Sequence, residues 1–168
     1  LIDCLELSIN VNANHSPGTD LTVLGPYIAE RFDLDLVITD DPELLRAHLK
    51  KGYMAVACSA GDRPEEDYIG VFSHGGHFIA VVEEAGEHIT VLDPSLMPDK
   101  YQEDGRRDKV IVNGNVLHTT MKVLAEDCRY REIKYYADGD FKKWLEQAEP
   151  DANKDRYFLF SPKAEEVK

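Results

Sequence analysis

His77 and Asp93 are the residues of this 168-residue chain whose types and setting carry the most chemistry. His77 follows Gly75-Gly76 and opens the apolar run Phe78-Ile79-Ala80-Val81-Val82. Asp93 closes a second run, Ile89-Thr90-Val91-Leu92, and precedes Pro94-Ser95. An imidazole oriented by a carboxylate is the proton-handling half of a nucleophilic site. The ring accepts a proton from a hydroxyl or thiol, and the carboxylate fixes its tautomer. Gly75 and Gly76 leave the backbone before His77 uncluttered, which makes them candidate substrate-binding positions. A single strand histidine is ordinarily structural, and Asp-Pro ordinarily starts a turn. The catalytic reading rests on the two residues being brought together.

The elements that must position them are two β-type runs flanking Glu83-Glu84-Ala85-Gly86-Glu87, a hairpin pattern. A three-residue loop, Glu84-Ala85-Gly86, puts Gly86 where a left-handed residue is wanted. That register sets His77 directly opposite Asp93, close enough for their side chains to meet. A bulge in either strand would displace the pairing by one residue.

The rest of the chain reads as helices first and mostly antiparallel strands later, an α+β pattern. Leu1 to Ile9 has helical apolar spacing and no N-cap before it, so a helix is expected to begin upstream. A helix capped by Thr19 or Asp20 is expected through Phe32, with Leu21, Leu24, Ile28 and Phe32 inward and a break or kink at Gly25-Pro26. Leu34 to Ile38 reads as a strand. Asp41-Pro42-Glu43 is a strong helix start, and Gly52 is its stop. Tyr53 to Cys58 reads as a buried strand. Ser59 to Gly76 and Pro94 to Arg107 are long connections, often functional in a compact domain. A further hairpin turns at Asn113-Gly114. Thr119 or Thr120 caps a helix to Asp127. Glu132 to Ala137 reads as a strand, Phe141 to Gln147 as a helix and Tyr157 to Phe160 as a strand.

No obvious nucleophile accompanies the pair. Cys58 lies in an apolar strand and reads as a core residue. Cys128 follows Glu126-Asp127, whose charge disfavours a thiolate. Cys4 sits within a helix rather than at the N-terminus that would activate it. Gly-x-Ser-x-Gly and the common phosphate-binding glycine loops are absent from the sequence. His74-Gly75-Gly76-His77 invites a metal reading, and a metal-dependent hydrolase would use His74, His77 and Asp93; beside the two histidines no third ligand stands at a diagnostic spacing, so neither a metal nor a cofactor is expected.

A net charge of −13 argues against a general nucleic-acid partner, which needs a basic surface. No run approaches the roughly 18 apolar residues of a membrane span. Three widely spaced cysteines give no disulfide framework, which favours a reducing, cytoplasmic setting. The length suits one domain over residues 1–168, read as truncated at its N-terminus.

Gly-Gly-His77-Phe-Ile-Ala-Val-Val, a short charged turn and Val-Leu-Asp93-Pro-Ser resemble the papain-like cysteine peptidases. The nearest branch is that of the bacteriocin-leader-processing peptidases and their stand-alone bacterial relatives. Pro17-Gly18-Thr19-Asp20, Phe32-Asp33-Leu34 and Lys51-Gly52 extend the likeness over residues 1–95. Arg106-Arg107-Asp108-Lys109-Val110 and Tyr157 to Phe160 resemble the tail of the stand-alone relatives. The resemblance implies a papain-like fold of N-terminal helices on a mostly antiparallel sheet. It implies a Cys-His-Asp triad acting on a peptide or amide, with His77 as base and Asp93 as orienter. The family's Gln and nucleophilic Cys have no counterpart here, because Leu1 to Ile9 aligns with the second helix. The Cys is therefore expected upstream of Leu1. A non-catalytic papain-like binding domain and an acyltransferase using the same triad remain the alternatives.

Overall fold

The structure is a computed structural model that describes residues 21–97, 99–129 and 157–163. Among them, three α-helices and seven strands form an α+β architecture built on one antiparallel sheet. In chain order these are α1 (Leu21–Arg31), β1 (Leu34–Thr39), α2 (Pro42–Leu49), β2 (Ala55–Ser59), β3 (His77–Ala85), β4 (His88–Leu92), β5 (Ile111–Asn113), β6 (Val116–Thr120), α3 (Met121–Asp127) and β7 (Tyr157–Pro162). The strand order is β1-β7-β2-β3-β4-β6-β5, which leaves β3 and β4 in the middle. No described helix is long and apolar enough to cross a membrane.

Local signals explain several boundaries. The Asp41 side chain accepts the Glu43 N–H at 2.8 Å, and Pro42 occupies the first turn of α2, where its missing N–H costs nothing. Thr120 caps α3 in the same manner by accepting the Val123 N–H at 3.2 Å. Gly25-Pro26 does not interrupt α1. Gly25 instead faces the sheet: a Cβ there would lie 3.2 Å from a Leu36 methyl and 3.5 Å from the Phe158 ring.

The alternation of strand side chains divides the fold in two. Ala55, Ala57, Ile79, Val81, Ile89, Val91, Leu117 and Leu159 share one buried cluster with Leu45 and Leu49 of α2 and Met121 and Leu124 of α3. On the opposite face, Phe158 of β7 and Leu36 of β1 meet α1. Within α1, Leu21 and Ala29 are buried, while Phe32 beyond its end is 67% exposed rather than inward. The expected caps Thr19 and Asp20 lie outside the described residues. So do Cys4, the Leu1 to Ile9 helix, the Glu132 to Ala137 strand and the Phe141 to Gln147 helix.

The two hairpin turns are each displaced from expectation. The β3–β4 turn is the pair Gly86-Glu87, with Ala85 opposite His88 and Gly86 at φ +70°. The β5–β6 turn is Gly114-Asn115, with Asn113 opposite Val116 and Gly114 at φ +60°. In both, glycine takes the first turn position, the arrangement whose twist matches the flanking strands.

Candidate active site

His77 is the first residue of β3, and Asp93 is the first residue beyond β4, so both stand at one end of the two central strands. The register differs from the sequence expectation. Val91 lies opposite Val81 and Leu92 opposite Ala80, a displacement of two residues from the pairing that sets His77 opposite Asp93. The two residues therefore meet diagonally, on the same face, rather than head on. His77 Nε2 and Asp93 Oδ1 are nevertheless 2.7 Å apart. A diagonal pair is within reach of a long side chain.

The Asp93 carboxylate is fully buried and receives four hydrogen bonds. Oδ1 accepts from His77 and, at 2.8 Å, from the Ser95 N–H, the turn bond typical of Asp before Pro. Oδ2 accepts from Lys100 Nζ at 2.6 Å and from the Tyr101 hydroxyl at 2.7 Å. Burial pushes this carboxyl upward. The bonds from Lys100, Tyr101, His77 and Ser95 outweigh burial and hold it at about 2. The same proximity, added to burial, raises the Tyr101 hydroxyl well above its ordinary value, so it remains a donor.

An ionised Asp93 fixes the tautomer of His77. A carboxylate only accepts, so Nε2 carries the hydrogen, and in the neutral ring the lone pair sits on Nδ1. Among the described residues no group hydrogen-bonds Nδ1. The imidazole is 18% exposed, so it is anchored at one nitrogen and reachable from solvent. Gly75 and Gly76 beside it are exposed, and a Cβ on Gly75 would meet nothing within 4 Å. Neither glycine has a left-handed backbone, so backbone conformation does not require glycine at either position.

The described thiols are Cys58 and Cys128, and both are buried. Cys58 pairs with Phe78 in the β2–β3 ladder and so points to the face opposite His77. Cys128 is wholly buried in the core cluster at the end of α3. Ser59 lies directly opposite His77, and its hydroxyl has no hydrogen-bond partner among the described residues. It is closed to solvent, which removes it as an attacking group. His74 does not join His77. Its Nδ1 bonds Asp62 at 2.9 Å and its Nε2 pairs with Glu103 at 3.1 Å, linking the two long loops. Among the described residues no cluster of three or more His, Cys, Asp or Glu is arranged to hold a metal ion.

The loop before His77 is held by Asp127, which the sequence marks only as a helix end and as a charge beside Cys128. Its buried carboxylate accepts the Val71 N–H, the Phe72 N–H at 3.2 Å and the Tyr68 hydroxyl at 2.9 Å. Burial raises this carboxyl despite those bonds. Arg63 is 1% exposed, pairs with Glu66 and Glu126 and lies 3.8 Å from the centre of the Tyr68 ring. Arg106 reaches across from the second loop to the Gly70 carbonyl at 2.8 Å. Lys100, Tyr101, Arg106 and Asp127 were missed because they lie in or beside irregular segments, where no period marks an inward residue. Comparison of the chain with family models, with curated proteins and with solved structures finds no match in any of the three.

Proposed function

We propose that this chain is a cysteine peptidase-like hydrolase of papain-like fold that acts on an amide or peptide bond. His77 is its base and Asp93 its orienter. The observation that carries the reading is the 2.7 Å bond from His77 Nε2 to a carboxylate held at about 2, with Nδ1 unbonded among the described residues. The attacking thiol comes from a cysteine upstream of Leu1, as the family resemblance implies. Nδ1 takes the thiol proton, giving a thiolate and an imidazolium whose Nε2–H stays on Asp93. The thiolate adds to the carbonyl carbon, and Nδ1–H then protonates the leaving amine. A water that gives its proton to Nδ1 hydrolyses the acyl-enzyme. The open backbone at Gly75-Gly76 supports an extended substrate lying beside His77.

The test is alkylation of the full natural gene product with iodoacetamide near pH 5, followed by mass mapping. One thiol upstream of Leu1 reacts fast, and His77→Ala slows it to the rate of an ordinary thiol. A protein with no fast thiol, or one whose fast thiol is indifferent to His77→Ala, refutes the reading and turns the search to non-catalytic peptide binding.

A further inference from the structure

Asp93 is held by more than an orienting carboxylate needs. Its second oxygen carries both an ammonium group and a phenol. The Lys100 side chain is only 13% exposed, and its Nζ sits 2.6 Å from Oδ2. A lone buried carboxylate beside an imidazole favours the imidazolium strongly. A carboxylate already paired with an ammonium presents the ring with a nearly neutral pair. We propose that Lys100 is a positioning residue of this site, whose charge offsets that of Asp93 and sets the pH range over which His77 carries a proton.

The groups around this pair allow the role to be assigned to Lys100. Tyr101 donates to the same oxygen but is neutral, so it holds the carboxylate without cancelling its charge. Arg106 touches the Lys100 carbonyl at 3.5 Å, yet its own charge is paired with Glu103 at 3.3 Å. Glu103 in turn faces His74, not His77. The Asp127 carboxylate is engaged by the Val71 and Phe72 N–H groups. Ser95 contributes only its backbone N–H. Lys100 is thus the only cation among the described residues that bonds the carboxylate orienting His77.

This inference rests on the proposed role of His77 in acyl chemistry, but its test needs no turnover. The His77 ring is followed by NMR through a pH titration, with His77→Gln used to assign its signals. In Lys100→Gln, which keeps a donor and removes the charge, the titration midpoint rises by about one pH unit. In Lys100→Arg, which keeps the charge, it stays within a few tenths. Tyr101→Phe gives a smaller rise than Lys100→Gln. A second arm covers a Lys100→Gln protein that fails to fold. Asp93→Asn leaves the Lys100 charge unbalanced and lowers the midpoint below the roughly 6.5 of an unperturbed histidine. Coincident titrations of wild type and Lys100→Gln overturn the proposal. So does an Asp93→Asn midpoint at or above that unperturbed value. If these shifts occur and no fast thiol is found in the alkylation experiment, the hydrolase reading fails while the role of Lys100 stands.

Discussion

Asp93 should leave a signature in the acid stability of this protein. Its folded-state value of about 2 lies well under the ordinary 3.8. A carboxylate with a depressed value contributes stability that is complete above the unfolded value. That contribution is lost as pH falls through the folded one. The difference corresponds to about 2 kcal/mol, expressed in full above pH 5 and eroded between pH 4 and 2. Asp127 acts with the opposite sign, because burial raises it: its contribution weakens as pH rises above its unfolded value. The whole-protein curve mixes the two, so the informative quantity is a difference between variants. Asp93→Asn should start about 3 kcal/mol below wild type at pH 7, since Lys100 is left beside a neutral amide. The gap should narrow by about 2 kcal/mol on going to pH 2. Urea unfolding at half-unit pH intervals measures this, with slopes against denaturant checked for constancy. Parallel stability curves for the two proteins across that range would refute the reasoning, and with it the view that the four donors set the charge state of Asp93.

Two further predictions concern the loop that leads to His77. Asp127→Ala strands the Val71 and Phe72 N–H groups and the Tyr68 hydroxyl, and should cost on the order of 3 kcal/mol in urea unfolding, with faster amide exchange at Val71 and Phe72. A Cβ on Gly70 would fall 2.1 Å from the Ser73 carbonyl oxygen and 2.7 Å from the Gly61 backbone, whereas Gly75 has open space. Gly70→Ala should therefore lower the melting temperature clearly and Gly75→Ala hardly at all, while Gly75→Ala should raise KM for an extended substrate in the proposed reaction.

How much of this was legible in the chain depended on how local the signal was. Asp41-Pro42 and Thr120 announce their helices because capping uses residues adjacent in sequence. The meeting of His77 and Asp93 could be expected because a hairpin is local too. The position of β7 between β1 and β2 could not, because it is decided by pairing across most of the chain. Lys100 and Tyr101 follow Asp93 by only seven and eight residues. Their side chains turn back through a short 3₁₀ segment, Lys100–Gln102, and an irregular segment gives no period from which to infer that. Helical spacing puts Phe32 inward, but α1 ends at Arg31, and past a helix end the spacing no longer assigns a face.

The hairpin also holds a feature on which the whole site depends. Next to the turn, Ala85 pairs with His88, Glu84 with Ile89 and Glu83 with Thr90. Carried on unchanged, that register would set Asp93 opposite Ala80, on the face away from His77. Val82 prevents this. It is an extra residue on β3 between the Val81–Val91 and Glu83–Thr90 pairs, a bulge that moves every following pair by one. A shift of one residue exchanges the faces of a strand. It therefore brings His77, Ile79 and Val81 onto the face shared by Val91 and Asp93. Near the turn, the Glu84 side chain lies on the α2 side of the sheet, where it pairs with Arg46 at 3.3 Å. Both halves of β3 are thus suited to the same layer only if the bulge is kept. Deleting Val82 forces a choice between them. Either Ile79 and Val81 leave the core, or the turn and the Glu84–Arg46 pair are lost. The expected result is a destabilisation of several kcal/mol and loss of the downfield proton resonance of the His77–Asp93 bond. A deletion variant that kept that resonance and near-native stability would show that the bulge does not govern which face of the sheet carries the site.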